Sequence, residues 1–347
     1  MAAQFNPSGF KVGVIGATGA VGAEMVRCLA YCEFPVSSLA LYASARSAGK
    51  VLETEYGSIT IEEFSVEAAR TCQFVFLAVS GDFAKEHAKA IGANGGPYVI
   101  DNSSAFRYDA DIPLVVPEIN AHVLTKDSKL VANPNCTTAV AAVALYPLHK
   151  EFTIKKLIMS TYQAASGAGA EGMEELLVGS KAILEGGEAP AKEFAYPLAF
   201  NLIPHIDKFQ PNGYTKEEMK VTWETLKIFG ATEADMKVSC TAVRVPIKRA
   251  HSEAITIETE KPISPDAARK ILGTAVGCRV VDDIECAKPI YPMPMNATSD
   301  YDVEVGRIRS SNVFGDNGLD LFVSGDQLLR GAAWNAVLIA QEIKKIL

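Results

Sequence analysis

Lys11-Val12-Gly13-Val14-Ile15-Gly16-Ala17-Thr18-Gly19-Ala20-Val21-Gly22 reads as a short buried strand that breaks at a glycine-rich turn and enters a helix. Residues 21–30 carry the apolar period of that helix. Glycines at such a junction let backbone N–H groups approach a pyrophosphate at a helix N-terminus, where the dipole favours an anion. Glycines alone are a weak signal, since any tight turn uses them; their place between strand and helix is what makes a cofactor motif. The spacing, GxxGxxG, is one residue off GxGxxG and marks a Rossmann variant. Gly16, Thr18, Gly19, Ala20 and Val21 are its candidate cofactor-binding residues. An NAD site would carry Asp or Glu about 20 residues further on to bind the ribose hydroxyls. This chain has Tyr42-Ala43-Ser44-Ala45-Arg46-Ser47 instead. A guanidinium flanked by hydroxyls suits a 2′-phosphate, so Ser44, Arg46 and Ser47 point to NADP.

Working outward, further strands are expected at residues 39–43, 74–79, 98–101 and 130–132, with a helix at 83–91. Alternation of this kind indicates a parallel, doubly wound sheet. Beyond residue 136 the strands lengthen, at 156–164, 237–245, 255–259, 303–310 and 320–324, and several alternate apolar with polar residues, as in a sheet with one solvated face. Residues 188–213, with four prolines and little periodicity, read as a long surface excursion. Thr215 and Glu218 form a capping box for a helix over 215–229. A final helix over 326–347 has a strong apolar stripe that needs a partner, and a parallel sheet needs helices on both faces. The expected fold is therefore α/β: a Rossmann-type doubly wound parallel sheet domain (1–136 and 326–347) plus an α+β domain with a large mixed sheet (137–325).

Composition agrees with a folded, globular protein. Over 347 residues, 48% hydrophobic and 21% charged content describes a soluble globular chain long enough for more than one core. A net charge of −8 argues against nucleic acid or a membrane surface as partner. No apolar run approaches a membrane span, and residues 1–10 lack the features of a signal peptide. The seven cysteines are odd in number and scattered, which fits a reducing cytoplasm. Neither they nor the five histidines have metal-ligand spacing, so no metal is expected.

The chemistry centres on Asn133-Pro134-Asn135-Cys136-Thr137-Thr138. An apolar run precedes it and a small-residue helical pattern follows, which places Cys136 at a helix N-terminus. Unpaired amides and the dipole stabilise a thiolate there. A lone cysteine is more often a core thiol; the polar, turn-forming neighbours favour a nucleophile here. Asn135 and nearby amides suit an oxyanion.

These residues, taken together, resemble the aspartate-β-semialdehyde dehydrogenase family through most of the chain. The likeness runs from the glycine turn and Ser44-Ala45-Arg46-Ser47-Ala48-Gly49, through the Cys136 motif, to Gly325-Asp326-Gln327-Leu328-Leu329. The resemblance implies that Gln163, in Tyr162-Gln163-Ala164-Ala165-Ser166-Gly167, orients the substrate. It implies that Arg244 and His251, in Arg244-Val245-Pro246-Ile247-Lys248-Arg249-Ala250-His251, are the substrate-binding arginine and the acid–base histidine. Glu217 would meet the substrate amine, Lys220 and Arg107 its phosphate, and Ser166, Gly167 and Gln327 the cofactor. From the residues alone His251 is one histidine among five, and Glu217 with Lys220 is by default a surface salt bridge.

The family implies NADPH-dependent reductive dephosphorylation of 4-aspartyl phosphate to aspartate semialdehyde and phosphate, through a cysteine thioester. It implies a step in lysine, threonine and methionine synthesis and a homodimer through the second domain's sheet, a tetramer being the other assembly. Related acyl-phosphate reductases are the first alternative. N-acetylglutamyl-phosphate reductases typically have Gly before the cysteine, where this chain has Asn135. Glyceraldehyde-3-phosphate dehydrogenases resemble Ser-Cys-Thr-Thr-Asn, and Ala139 replaces that last Asn. A non-catalytic NADP-binding sensor is the second alternative, and the intact set Cys136, Gln163, Arg244 and His251 argues against it.

Overall fold

The computed structural model describes residues 3–347 in two compact units, one made of the chain up to Asn135 with Ala332–Leu347 and the other of Cys136–Gly331. In the first unit β1 (Phe10–Ile15), β2 (Val36–Ala43), β3 (Val51–Thr54), β4 (Gly57–Thr60), β5 (Glu62–Glu63), β6 (Phe74–Leu77), β7 (Tyr98–Asp101) and β8 (Leu130–Ala132) alternate with α1 (Ala20–Tyr31), α2 (Val66–Arg70), α3 (Gly81–Gly92) and α4 (Pro117–Asn120). A six-stranded sheet runs β5-β2-β1-β6-β7-β8 with every pairing parallel. Phe74, Val75, Phe76 and Leu77 are all buried, as expected of a strand covered on both faces. The β3–β4 hairpin and β5 fall outside the expected alternation, because their largely exposed residues carry no buried run.

The strand order reverses between β1 and β6, and in open α/β sheets a nucleotide lies at such a point. The loops after the two strands touch there. Gly16 has φ +85°, and a Cβ on it would lie 2.2 Å from the Ala78 carbonyl oxygen. Neither the backbone conformation nor the space admits another residue.

In the second unit, α5 (Cys136–Phe152) is followed by β9 (Ile154–Gln163), α6 (Gly169–Leu184), α7 (Lys216–Phe229), β10 (Lys237–Arg244), β11 (His251–Thr259), α8 (Pro265–Leu272), β12 (Cys278–Val280), α9 (Pro294–Ala297), β13 (Val303–Ser310) and β14 (Gly318–Gly325). The sheet order is β10-β9-β11-β14-β13-β12, parallel at both edges and antiparallel between. One face packs on α5, whose residues are buried nearly all round, hence its run of Ala and Val. On the other face Ile158 and Tyr162 are exposed. The capping box forms as expected, with Thr215 and Glu218 bonded reciprocally, and Gly230 closes α7 in the left-handed conformation.

Two expectations need correcting. The 188–213 segment contains no helix or strand, but it is more than a surface excursion. Leu198, Ala199 and Ile203 are buried with Ala165 and Leu176, and Ile203 pairs with Arg244 across an isolated bridge. The final helix does not begin at 326. Asp326 turns the chain by accepting the Leu328 N–H at 3.0 Å, a π-helical turn spans Leu329–Ala333, and the α-helix runs over Trp334–Lys345. That helix packs on α1, α4 and β7 of the first unit. Residues 326–331 stay with the second unit. Among the described residues, no helix is long and apolar enough to cross a membrane.

Candidate active site

In the second unit, strand register brings distant side chains to one edge. β9 and β10 are parallel and end in register at Gln163 and Arg244, while antiparallel β11 begins at that same edge with His251. α5, packed beneath, starts with Cys136. The Cys136 Sγ lies 3.5 Å from His251 Nε2. On the ring's other side, Nδ1 accepts the Ala164 backbone N–H at 3.0 Å. The Ala164 carbonyl in turn accepts from Arg244 Nη1 at 2.6 Å. Arg244 is buried, with its guanidinium 5.6 Å from the Phe194 ring centroid. Burial pulls its pKa below the arginine range, against the opposing charges of Glu217 and Cys136. His251 is fully buried; burial first, then the Arg244 charge, hold it well below the usual imidazole range.

Gln163 donates to Thr137 Oγ1 at 2.8 Å and to Glu217 Oε1 at 3.4 Å, which fixes its orientation. The Glu217 Oε2 accepts from Lys220 Nζ at 2.9 Å, and Asp207 takes the same ammonium at 2.8 Å. Burial lowers the Lys220 pKa, but the two carboxylates outweigh it and leave it raised. Asp207 sits in the proline-rich segment, where no sequence pattern pointed to it.

Gly167 packs against this constellation: a Cβ there would lie 2.7 Å from Arg244 Nη1 and 3.4 Å from the imidazole. Ser166 receives a hydrogen bond from Gln327 Nε2, and Gln327 Oε1 accepts the Ala250 N–H at 2.9 Å. Gly331 has a place of its own. A Cβ on it would lie 2.6 Å from that of Cys136, so only glycine lets the chain pass the nucleophile. In the sequence it is an isolated glycine in a helical pattern, a signal that the sequence reading passed over.

Two residues along β11, Glu253 is fully buried, and neither carboxyl oxygen has a hydrogen-bond partner among the described residues. Burial pushes its carboxyl well above the ordinary value of 4.5. The native state thus keeps a proton that the unfolded chain releases. Stability should fall as pH rises from the unfolded value toward the folded one, by up to ~1.4 kcal/mol per pH unit. In Glu253→Gln, urea unfolding across that range should lose this slope. A slope equal to the parent's would mean that Glu253 is ionised.

In the first unit, the turn after β1 fits a dinucleotide. Gly19 is the N-cap of α1 without a side-chain cap bond, which leaves first-turn amides for an anion, with Thr18, Ala20 and Val21 around it. A Cβ on Gly22 would lie 2.3 Å from the Gly16 oxygen, so glycine is needed to seat the helix. Ser44 and Arg46 are exposed and Ser47 half-buried just past β2, where Ser47 N bonds Ser44 O. Arg107 is buried and donates to the Asn133 and Asn102 carbonyls at 2.8 and 2.9 Å. The Asn133 side chain bonds Asn102 and Asn335, which braces the loop that leads to buried Asn135. Among the described residues, no group of three or more His, Cys, Asp and Glu side chains could hold a metal ion.

Comparison with known proteins agrees with this arrangement. Residues 11–127 match the family "Semialdehyde dehydrogenase, NAD binding domain", and residues 145–330 match "Semialdehyde dehydrogenase, dimerisation domain". The chain is 46% identical to the aspartate-semialdehyde dehydrogenase of Synechocystis sp., over 96% of this chain and 97% of that one. It is 45% identical to the enzyme of Aquifex aeolicus, over 97% and 98%. Its fold is similar to that of Vibrio cholerae aspartate semialdehyde dehydrogenase II complexed with ASA, with a TM-score of 0.90 and 37% identity over 97% of this chain and 99% of that one. It is also similar to the Candida albicans enzyme with NADP, with a TM-score of 0.73 and 25% identity over 98% and 100%. A nicotinamide-binding α/β unit and a mixed-sheet unit with a cysteine–histidine pair thus coincide with full-length likeness, and the chain belongs to the aspartate-semialdehyde dehydrogenase family of oxidoreductases.

Proposed function

We propose that this enzyme catalyses the reversible, NADPH-dependent reductive dephosphorylation of 4-aspartyl phosphate to aspartate semialdehyde and phosphate, in the route to lysine, threonine and methionine. The observation that carries the reading is the pair Cys136–His251, 3.5 Å apart at the N-terminus of α5. Cys136 attacks the acyl carbon, the bond to the phosphate oxygen breaks, and a thioester forms on the sulfur. When bound, the dinucleotide supplies hydride to the thioester carbon. Asn135 and the amides near Cys136 stabilise charge on the acyl oxygen. Gln163, anchored by Thr137 and Glu217, orients the acyl group. His251 serves proton movements at the sulfur.

Arg244 takes the substrate carboxylate, Glu217 its ammonium, and Lys220 and Arg107 its phosphate. Gly16, Thr18, Gly19, Ala20 and Val21 hold the pyrophosphate of NADP, and Ser44, Arg46 and Ser47 its 2′-phosphate. Ser166, Gly167 and Gln327 serve the nicotinamide end. On this reading, the unit of residues up to 135 with 332–347 binds NADP, and the unit of residues 136–331 carries catalysis and dimerisation. The exposed Ile158 and Tyr162 on the second unit's sheet support a homodimer through that face, with a tetramer as a larger assembly. The seven cysteines form no disulfide, which suits a cytoplasmic protein.

The deciding assay is phosphate-dependent NADP reduction with aspartate semialdehyde. Reduction independent of phosphate, or a preference for N-acetylglutamate semialdehyde, would overturn the assignment. Arg46→Ala tests the cofactor. It should weaken NADP by ~1.5–3 kcal/mol, the worth of a charge-assisted hydrogen bond, and leave NAD nearly unchanged. Equal losses for both dinucleotides, measured by fluorescence titration, would give Arg46 a structural role only.

A further inference from the structure

Lys220 carries one positive charge and faces two carboxylates. Glu217 Oε2 accepts from its Nζ at 2.9 Å and Asp207 Oδ2 at 2.8 Å, so the cluster holds an excess of negative charge before any ligand arrives. The lysine side chain is only 13% exposed, which leaves an incoming anion little room while both partners stay. The two carboxylates are not held alike. Glu217 belongs to α7, is 7% exposed, and its other oxygen accepts from Gln163. Asp207 is 28% exposed and lies in irregular chain, with its other oxygen on the N–H of the next residue, Lys208, at 2.8 Å. Its backbone is left-handed, with φ +68°, a conformation that Asp and Asn tolerate better than most residues. A local turn thus aims Asp207 at Lys220, and Asp207 is the partner that a ligand can replace. Burial raises the Asp207 pKa, but Lys220 and the Lys208 amide outweigh it and leave it lowered, so the carboxylate is charged. Lys216, whose N–H bonds the Lys208 carbonyl, is at hand for the carboxylate once displaced. A phosphate dianion added to Lys220 with both carboxylates in place would be repelled by each, in a partly buried site where water screens weakly.

We propose that Asp207 is an internal competitor for phosphate: its carboxylate occupies Lys220 in the free enzyme, yields the ammonium when phosphate or the acyl phosphate binds, and returns as phosphate leaves. The inference rests on Lys220 being the phosphate-binding lysine of the proposed function. Its consequence is release. The reductive direction generates phosphate in the site, and a carboxylate that reclaims the ammonium speeds its departure at the expense of affinity. Asp207 acts through Lys220, which makes it a positioning residue.

Asp207→Asn keeps the side-chain shape and suits the left-handed turn, and it removes the charge. In full-length enzyme assayed with aspartate semialdehyde and NADP, it should lower the KM for phosphate by about 3- to 15-fold, the range between an exposed ion pair and a charge-assisted hydrogen bond. The KM for the semialdehyde, which carries no phosphate, should stay within about twofold. In the reductive direction, phosphate should inhibit the variant more strongly by the same factor. A merely structural strut has the opposite sign, because its loss would loosen Lys220 and raise the phosphate KM. An unchanged or raised phosphate KM in Asp207→Asn overturns the proposal.

The double variant separates the competitor from the reading beneath it. Lys220→Ala should raise the phosphate KM, and adding Asp207→Asn should then change it no further. If Lys220→Ala leaves the phosphate KM unchanged, the phosphate assignment of Lys220 fails and the competitor with it. If Asp207→Asn lowers the KM equally in both backgrounds, Asp207 repels phosphate from a distance and competition for Lys220 is refuted. A crystal structure of the parent with phosphate reads the exchange without any variant. Phosphate on Lys220 with Asp207 withdrawn is expected; Asp207 still bonded to an ammonium that also holds phosphate would sink the proposal.

Discussion

Cys136→Ala is expected to lower turnover in both directions by roughly 10⁴-fold or more, the scale seen when a covalent nucleophile is removed. NADP affinity should stay within about twofold, because the glycine turn proposed to cradle the dinucleotide belongs to the other compact unit. Cys240 on β10, by contrast, is buried, and burial with the surrounding carboxylates pushes its thiol well above the usual range. Cys240→Ser should therefore turn over like the parent. Steady-state rates with aspartate semialdehyde and phosphate, paired with dinucleotide titration, make the check. Cys136→Ala turnover within about tenfold of the parent would remove the thioester from the mechanism.

Arg244→Lys should cost about 10- to 150-fold in kcat/KM in both directions, equivalent to the ~1.5–3 kcal/mol of a charge-assisted hydrogen bond. The substrate carboxylate persists from acyl phosphate to aldehyde, so the loss should not depend on direction. Lysine keeps the charge but not the fork. In this site Nη1 is already committed to the Ala164 carbonyl, and the fork's other nitrogen is the one left for a ligand. Lys220→Ala should differ. It should raise the KM for phosphate more than that for the semialdehyde, since Lys220 is assigned to phosphate alone. If phosphate KM is unchanged, the contacts of Lys220 to Glu217 and Asp207 are structural ion pairs and nothing else. If Arg244→Lys affects one direction only, the carboxylate assignment fails.

The sequence made some of this legible and hid the rest for identifiable reasons. The glycine turn, the Thr215–Glu218 box and the helix behind Cys136 were readable because each is a local pattern, closed within a few residues. The 188–213 segment was read as surface because it lacks periodicity. It nevertheless holds Ile203 on the Arg244 backbone, Phe194 against the Arg244 guanidinium and Asp207 on Lys220. Irregular chain is ordered by what it packs against, and no period records that. The helix expected from 326 starts late because buried Asp326 also accepts from Arg249 and Ser299, contacts that a helical stripe does not encode.

By itself, the order of residues determined that a buried strand meets an anion-accepting helix at Gly16–Gly22, and that a cysteine begins a helix after two asparagines. Hydrogen bonds, dipoles and sterics act there over single turns of chain. Only the tertiary structure decided which side chain partners that cysteine. His251 Nδ1 accepts an amide N–H from 87 residues earlier, the sulfur beside its Nε2 lies 115 residues away in the chain, and Gly331 makes room beside the same cysteine. Such contacts depend on which strand ends the sheet register brings to one edge, and register is a property of the folded sheet.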